Sequence, residues 1–382
     1  MRILLVIPSI TNYFTFLDEL TEELLAQGHQ VGLVASPVHF RDVDCYSDVP
    51  RCEFFPIEVP QGMNPVAHLK GARQLKRVVE QFAPDVVHAH IGAAIFMTSI
   101  ARGRKWNKMV ATHHGLLGPL MKGVKGFIAG FAERFTFKRV DEFYLLNQSD
   151  QEWLENKGLS NRSVVYKSRG LGCLTNQFDP GKFDDAKKDQ LRASLGISKT
   201  DVVLIFVGRH VWFKGFDLTI RAFMALAKKH ENVKLLVLGQ PYKVHPTGLT
   251  EEETMRMKNH AKIIPVGWVK EVDEYLAIAD VNVFPSEREG MPVNLMESIS
   301  MGVPVITRNT RGCSEIVVPN ETGYLLERRD EDELLERMTF MIEHPEILES
   351  MKTNSIKERS KFDRSNWVNE QIGLYCELLA DE

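Results

Sequence analysis

Short apolar runs alternate with stretches of helical periodicity along nearly the whole chain. "RILLVIP" (2–8) reads as a strand, "FLDELTEELLAQG" (16–28) as an amphipathic helix ended by Gly28, and "HQVGLVAS" (29–36) as the next strand. A helix follows over 66–82, then the strands "DVVHAH" (85–90) and "KMVATHH" (108–114), a helix to about residue 139, and the strand "DEFYLL" (141–146). The order restarts with "DVVLIFVG" (201–208) and a helix that Asp217 is expected to cap. Strands at 233–239, 261–267, 280–286 and 303–308 follow, with helices between them. Strands apolar on both faces and separated by helices predict parallel sheets covered on each side. The stretch 167–184, rich in Gly, Asn and Asp, separates the two series and is the expected hinge. The pattern therefore predicts two doubly wound α/β domains facing across a cleft, with ligands beyond the carboxyl ends of the strands. The last helix, 365–380, has Trp367, Ile372, Tyr375 and Leu379 near one face and needs a surface to pack on.

Length agrees, since 382 residues exceed one ordinary core. The net charge of -4 gives no general case for nucleic acid. It is uneven: residues 1–170 carry 20 Lys/Arg against 17 Asp/Glu, and the remainder 27 against 34. Five dispersed cysteines with no CxxC pair point to reduced thiols in a cytoplasmic protein rather than to disulfides or a metal site. The opening apolar run is short, lacks a small-residue cleavage site and soon meets Asp18 and Glu19, so it reads as a strand and not a signal peptide. No run approaches the roughly 18–20 apolar residues of a membrane span. The absence of GxxxxGK and of a strand-linked GxGxxG removes support from simple ATP and dinucleotide readings.

Candidate chemistry lies in "SEREGMPVNLMES" (286–298). A strand, a loop and a helix closed by Gly302 are expected here, with Pro292 at the first helical position and Met291 at the cap. Methionine has no side-chain oxygen for the free N–H groups of the first turn, which leaves them to an anion. Gly290 lets a partner approach the backbone. Glu289 beside this start suits sugar hydroxyls. Glu297, about 7–8 Å along the helix, suits a ribose. Arg209 and Lys214, in the loop after the strand 201–208, could hold and neutralise a diphosphate. The alternative is ordinary: acids favoured near a helix start and solvated loop cations.

Together, "GR…KG" (Gly208, Arg209, Lys214, Gly215) and "EGMPVNLME" (Glu289 to Glu297) resemble the retaining glycosyltransferases of family GT4, with the GT-B fold. "PDVVHAH", "VATHHG" and "MGVPVIT…GCSEIV…TGYLL" add to the likeness in order, and it covers nearly the whole chain. "MNPVAHLKGARQLKRVVEQFAPDVVHAH", "HHGLLG", "LLNQSDQEWL" and "SRGLGCLTNQFDP" are similar to the CapM/PglA-like branch, whose members build capsule, O-antigen or glycan-precursor oligosaccharides on lipid carriers. The resemblance implies an acceptor-binding domain over 1–168, a nucleotide-sugar domain over 169–364, and a helix over 365–382 that returns to the first. Glu289 with the backbone of Gly290, Met291, Pro292 and Val293 would hold donor sugar and phosphate, Glu297 the ribose, and Arg209 and Lys214 the diphosphate beside Gly208. Gly267 and Trp268 would cradle the base. His114 falls where the family has a histidine near the reacting sugar, with His113 its rival by one place. His90 and Asn12 fall near the acceptor. Many GT4 enzymes have a Gly-Gly loop after the first strand, where this chain has "PSITNYF" (8–14). Part of the CapM/PglA-like branch also lacks the pair.

His88 and His90 share a strand face, and packing or acceptor contact is expected of them, since no third metal ligand is evident. The acidic run Asp330-Glu331-Asp332 is expected to enrich a helix start in acids. The basic, apolar stretch 115–139 (Leu116, Leu117, Leu120, Met121, Lys122, Val124, Lys125, Phe127, Ile128, Phe131, Arg134, Lys138, Arg139) is open to two readings, an anionic membrane surface or a core helix with a solvated side. The resemblance favours the first. The overall expectation is a metal- and cofactor-independent retaining transferase, peripheral on the inner face of the plasma membrane. It would move a hexosyl or N-acetylhexosaminyl group from a UDP-sugar to an undecaprenyl-type lipid-linked saccharide. Rival readings are a GT-B epimerase or hydrolase, a phosphorylase, and a non-catalytic sugar-nucleotide-binding subunit.

Overall fold

A computed structural model describes residues 1–37, 50–60, 62, 64–116, 118, 123–160, 162–242 and 244–380, with the backbone alone for 124–129. The chain divides into two compact units, Met1–Leu171 with Ser365–Glu382, and Gly172–Arg364.

The first unit carries a parallel sheet of β1 (Arg2–Ser9), β2 (Gln30–Ser36), β3 (Glu53–Pro56), β4 (Val86–His90), β5 (Lys108–His113), β6 (Glu142–Leu145) and β7 (Ser163–Val165) in the order β3-β2-β1-β4-β5-β6-β7. Ile3 to Ile7 are wholly buried, which is why this strand reads as an unbroken apolar run. The strand order reverses between β1 and β4, where Leu5 pairs with His88. The last helix, Arg364–Ala380, belongs to this unit almost entirely. Trp367 and Tyr375 are fully buried, the Tyr375 hydroxyl is bonded to His88 Nδ1, and Tyr166 donates to Gln371. The Glu370 carboxylate accepts from the N–H groups of Lys167 and Ser168 at 2.8 and 3.0 Å.

The second unit repeats the plan with β8 (Val202–Val207), β9 (Val233–Leu238), β10 (Ile263–Gly267), β11 (Val281–Phe284), β12 (Val305–Arg308) and β13 (Gly323–Leu326) in the order β10-β9-β8-β11-β12-β13, all parallel. The order reverses between β8 and β11. Such reversals open a crevice at the carboxyl ends of the two central strands.

Two local expectations are corrected. The stretch 8–14 is not a loop: β1 runs to Ser9, and a helix spans Ile10–Phe16. Ser9 caps it, its Oγ accepting from Asn12 N at 3.2 Å. Asp217 is not a cap. It is the second residue of the helix Phe216–Lys229, whose cap is Gly215, and its carboxylate instead joins Arg221 and Arg329 at 3.1 and 2.6 Å. Gly215 sits at φ 75, and a Cβ there would lie 2.5 Å from the Pro285 carbonyl oxygen. Asp330 does cap the helix Glu331–Glu343 and heads its acidic first turn.

Candidate active site

The carboxyl ends of β8 and β11 deliver the second unit's candidate residues to one place. Gly208 to Lys214 follow β8, and Ser286 to Pro292 follow β11. Lys214 Nζ donates to Glu289 Oε1 at 2.6 Å, and Ser286 Oγ donates to the same oxygen at 2.7 Å. Arg311 Nε donates to the Glu289 carbonyl at 3.0 Å. The loop carrying Arg311 can lie this close because residue 312 is glycine: at φ 76, a Cβ would fall 2.3 Å from the Gly290 carbonyl oxygen. The tight approach expected at Gly290 is thus made, at least in part, by the protein's own backbone.

The helix after this loop spans Val293–Ser300, one residue later than expected. Its cap is Pro292, at ψ 112, and not Met291. The ring fixes φ but leaves ψ free, so proline serves here as the extended residue before the first turn. The consequence expected of Met291 carries over, since no side chain caps this helix. Met291 is buried in the core. Asn294 Nδ2 donates to the Val207 carbonyl at 2.9 Å and fastens the helix start to the end of β8. Glu297 is partly buried within this helix. Burial pushes its carboxyl up to about 7, with Arg364 opposing and Asp273 adding to the rise.

Arg209 is exposed and lies over Tyr242, 4.9 Å from the ring centroid. Gly267 ends β10 at φ 85 and accepts from Gly239 N at 2.7 Å, while Trp268 stands 45% exposed beside it. Ser286, Asn294 and Arg311 were missed in the sequence. The first two lie within the quoted motif, but nothing near Arg311 links it to residues twenty positions away.

In the first unit, the carboxyl ends of β4 and β5 bring histidines together. His88 and His90 share a face, with ring centroids 3.9 Å apart. His88 is held by Thr112 Oγ1 at 2.7 Å and by Tyr375. His90 Nδ1 lies 3.4 Å from His114 Nε2, and the His114 ring meets Phe16 at 4.9 Å. His113 points away from this group, into the core against Phe137 and Phe143, at 5.4 and 6.4 Å. Burial lowers all four: His88 and His114 to about 3, His113 to about 4, and His90 well below its ordinary value. They are neutral near pH 7. Asn12 lies beyond the end of β1, where its Oδ1 accepts from Ser9 Oγ at 2.8 Å. Among the described residues no group of three or more His, Cys, Asp or Glu could hold a metal ion.

Two family descriptions match in tandem: "Glycosyl transferase 4-like domain" over residues 15–170 and "Glycosyl transferases group 1" over residues 187–358. The chain belongs to the GT4 glycosyltransferases. This glycosyltransferase has the GT-B fold, and its relatives lie in the capsule and lipid-linked branch. The capsular polysaccharide biosynthesis glycosyltransferase CapM of Staphylococcus aureus is 25% identical over 274 residues, 71% of this chain and 71% of that protein. The UDP-Gal:alpha-D-GlcNAc-diphosphoundecaprenol alpha-1,3-galactosyltransferase of Escherichia coli is 24% identical over 352 residues, 89% of this chain and 87% of that one. Anabaena Alr3699/HepE, solved in complex with UDP, has the same fold, with a TM-score of 0.79 at 17% identity over 99% of this chain and 100% of that one.

Proposed function

We propose that this glycosyltransferase moves a sugar from a nucleotide diphosphate, UDP foremost, to a lipid-linked saccharide with retention of configuration. The observation that carries the reading is the meeting of Lys214 and Glu289 beside an uncapped helix start at the second unit's strand-order reversal. Cations, oriented N–H groups and a carboxylate in one crevice suit a sugar diphosphate. The Escherichia coli relative's UDP-linked donor and diphosphoundecaprenol acceptor support the substrate classes.

On this reading Glu289 takes the donor sugar and Glu297 the ribose. Gly267 and Trp268 flank the base, and Arg209, Lys214 and the N–H groups of the helix start take the diphosphate. The bond from the anomeric carbon to the phosphate oxygen breaks, and the acceptor oxygen bonds the same carbon from the same face. The acceptor proton passes to the departing phosphate oxygen, whose charge Arg209, Lys214 and the helix start stabilise. Those fixed charges serve without a metal, so turnover should withstand chelation. In the first unit, neutral His114 serves the reacting sugar, and His90 and Asn12 the acceptor.

Membrane contact is part of the proposal. No described helix is long and apolar enough to cross a membrane, so the contact would be peripheral. Phe131, on the helix Gly123–Phe137, is 68% exposed, and Arg134 and Lys138 beside it are exposed too. The stretch's one acid, Glu133, is buried and accepts from Gly118 N at 3.1 Å. Residues 117, 119–122 and the side chains of 124–129 lie outside the described residues.

The test is thermal protection by a panel of nucleotide sugars, followed by turnover of the best ligand with and without a diphosphate-lipid saccharide. UDP-sugar protection and acceptor-dependent transfer are expected. Donor consumption without acceptor would mark an epimerase or hydrolase, and protection without turnover a binding subunit.

A further inference from the structure

Two guanidinium groups converge on one ring. Arg288 Cζ lies 4.3 Å from the Phe213 centroid and Arg209 Cζ lies 5.9 Å from it. The two carbons are therefore no further apart than the sum of those distances. The acids flanking Arg288 in sequence are already engaged: Glu287 with Arg308 and Arg329, and Glu289 with Lys214. Among the described residues neither Arg209 nor Arg288 forms an ion pair. Arg288 is also anchored through its neighbour. Glu287 N donates to the Phe213 carbonyl at 2.7 Å and ties this segment to the turn that carries the ring.

Two like charges beside one ring, with Arg209 also 4.9 Å from the Tyr242 centroid, repel each other unless an anion joins them. Contact with the ring offsets only about 0.5–1 kcal/mol at such sites. A planar, always-charged guanidinium matches phosphate oxygens with paired N–H donors, and two of them suit two linked phosphates. Lys214, by contrast, already has a carboxylate partner. We infer that Arg288 and Arg209, backed by Phe213, form a diphosphate clamp, and that Arg288 rather than Lys214 supplies the second uncompensated charge met by the incoming group. The inference rests on the donor reading above and adds a residue to it. The diphosphate belongs either to the nucleotide donor or to the lipid-linked acceptor.

The experiment compares the full-length wild type with Arg288→Ala and Arg288→Lys by calorimetry against inorganic diphosphate, UDP and uridine, and measures KM for a diphosphate-lipid acceptor. Arg288→Ala should weaken inorganic diphosphate about tenfold and leave uridine unchanged, with Arg288→Lys in between. A matching loss for UDP assigns the clamp to the donor. Unchanged UDP with a tenfold higher acceptor KM assigns it to the acceptor. Unchanged diphosphate binding in Arg288→Ala, or uridine weakened as much as UDP, overturns the clamp. A wild type that binds inorganic diphosphate through Arg288 but no UDP would sink the donor reading and keep the clamp.

Discussion

Lys214 Nζ and Glu289 Oε1 lie 2.6 Å apart across 75 residues of sequence, and both side chains are largely buried. The pair has two consequences. It holds the turn after β8 against the loop after β11, which sets the mouth of the crevice. It also occupies the cation that the leaving diphosphate needs, so donor entry must draw Lys214 from Glu289 or be shared between them.

Glu289→Gln should therefore bind UDP at least as well as the wild type, because Lys214 is released, while transfer falls about a hundredfold or more. Lys214→Ala and Arg209→Ala should each lower turnover at saturating donor by a similar factor with an unchanged melting temperature for Arg209→Ala, which is exposed. Calorimetry and steady-state kinetics read these outcomes. Near-normal turnover in either cation variant would refute its phosphate role.

Glu297 predicts a pH dependence. Burial raises its carboxyl to about 7 from an ordinary 4.5. The folded state then holds this proton where the unfolded chain has lost it. Its contribution to stability is full below about 4.5 and is lost as pH rises through about 7. Glu297→Gln should accordingly raise the melting temperature at pH 8 and change it little at pH 4.5. Ionised Glu297 is the better acceptor for ribose hydroxyls, so UDP affinity should rise more steeply from pH 6 to pH 8 in the wild type than in the variant, whose remaining slope comes from the terminal phosphate of UDP. Parallel wild-type and variant profiles would remove Glu297 from the nucleotide site.

The two adjacent histidines separate cleanly. His113 lies in the core with its Nε2 lacking a hydrogen-bond partner, and burial lowers it to about 4. A depressed histidine contributes stability above about pH 6.5 that is lost as pH falls toward 4. His113→Leu should flatten part of that acid loss and keep transfer activity. His114→Ala should lose activity and should flatten at least as large a share of the acid limb, since burial lowers His114 further, to about 3, so activity is what separates the two variants. Loss of activity in His113→Leu with a native melting temperature would reverse the assignment.

How much of this was legible follows from how each feature is encoded. Unbroken apolar strands such as Ile3 to Ile7 announce a sheet buried on both faces, so the two doubly wound sheets could be read directly. The edge strands β3, β7 and β13 could not: they have three or four residues each and are paired on one side only. Ser9 looked like a loop residue because nothing local distinguishes a cap from a turn. Asp217 looked like a cap because its true partners, Arg221 and Arg329, include one 112 residues away. The motif from Glu289 to Glu297 revealed an uncapped start but placed it one residue early, since proline fits both the first helical position and the cap. The partner of Glu289 was out of reach, because side-chain pairing across 75 residues leaves no periodic trace.

Membrane contact through 115–139 predicts preferential binding to anionic vesicles. Binding should fall with salt, since exposed charges are screened over about 8–10 Å near physiological ionic strength. Replacing Lys122, Lys125 and Lys138 by Gln should weaken vesicle binding about a hundredfold, at roughly 1 kcal/mol per residue. UDP binding should be unchanged. Full vesicle retention by this variant would make the stretch an ordinary helix with a wet basic face.

The central claim is transfer from a UDP-sugar with retention, and the anomeric configuration of the product tests it most directly. A purified sample would be given the UDP-sugar that best protects it, with a diphosphate-lipid saccharide, and the new anomeric proton read by NMR. An α-linked donor should yield an α linkage, with UDP released in equal amount. A β linkage from that donor, or UDP release without a new glycosidic bond, would contradict the account.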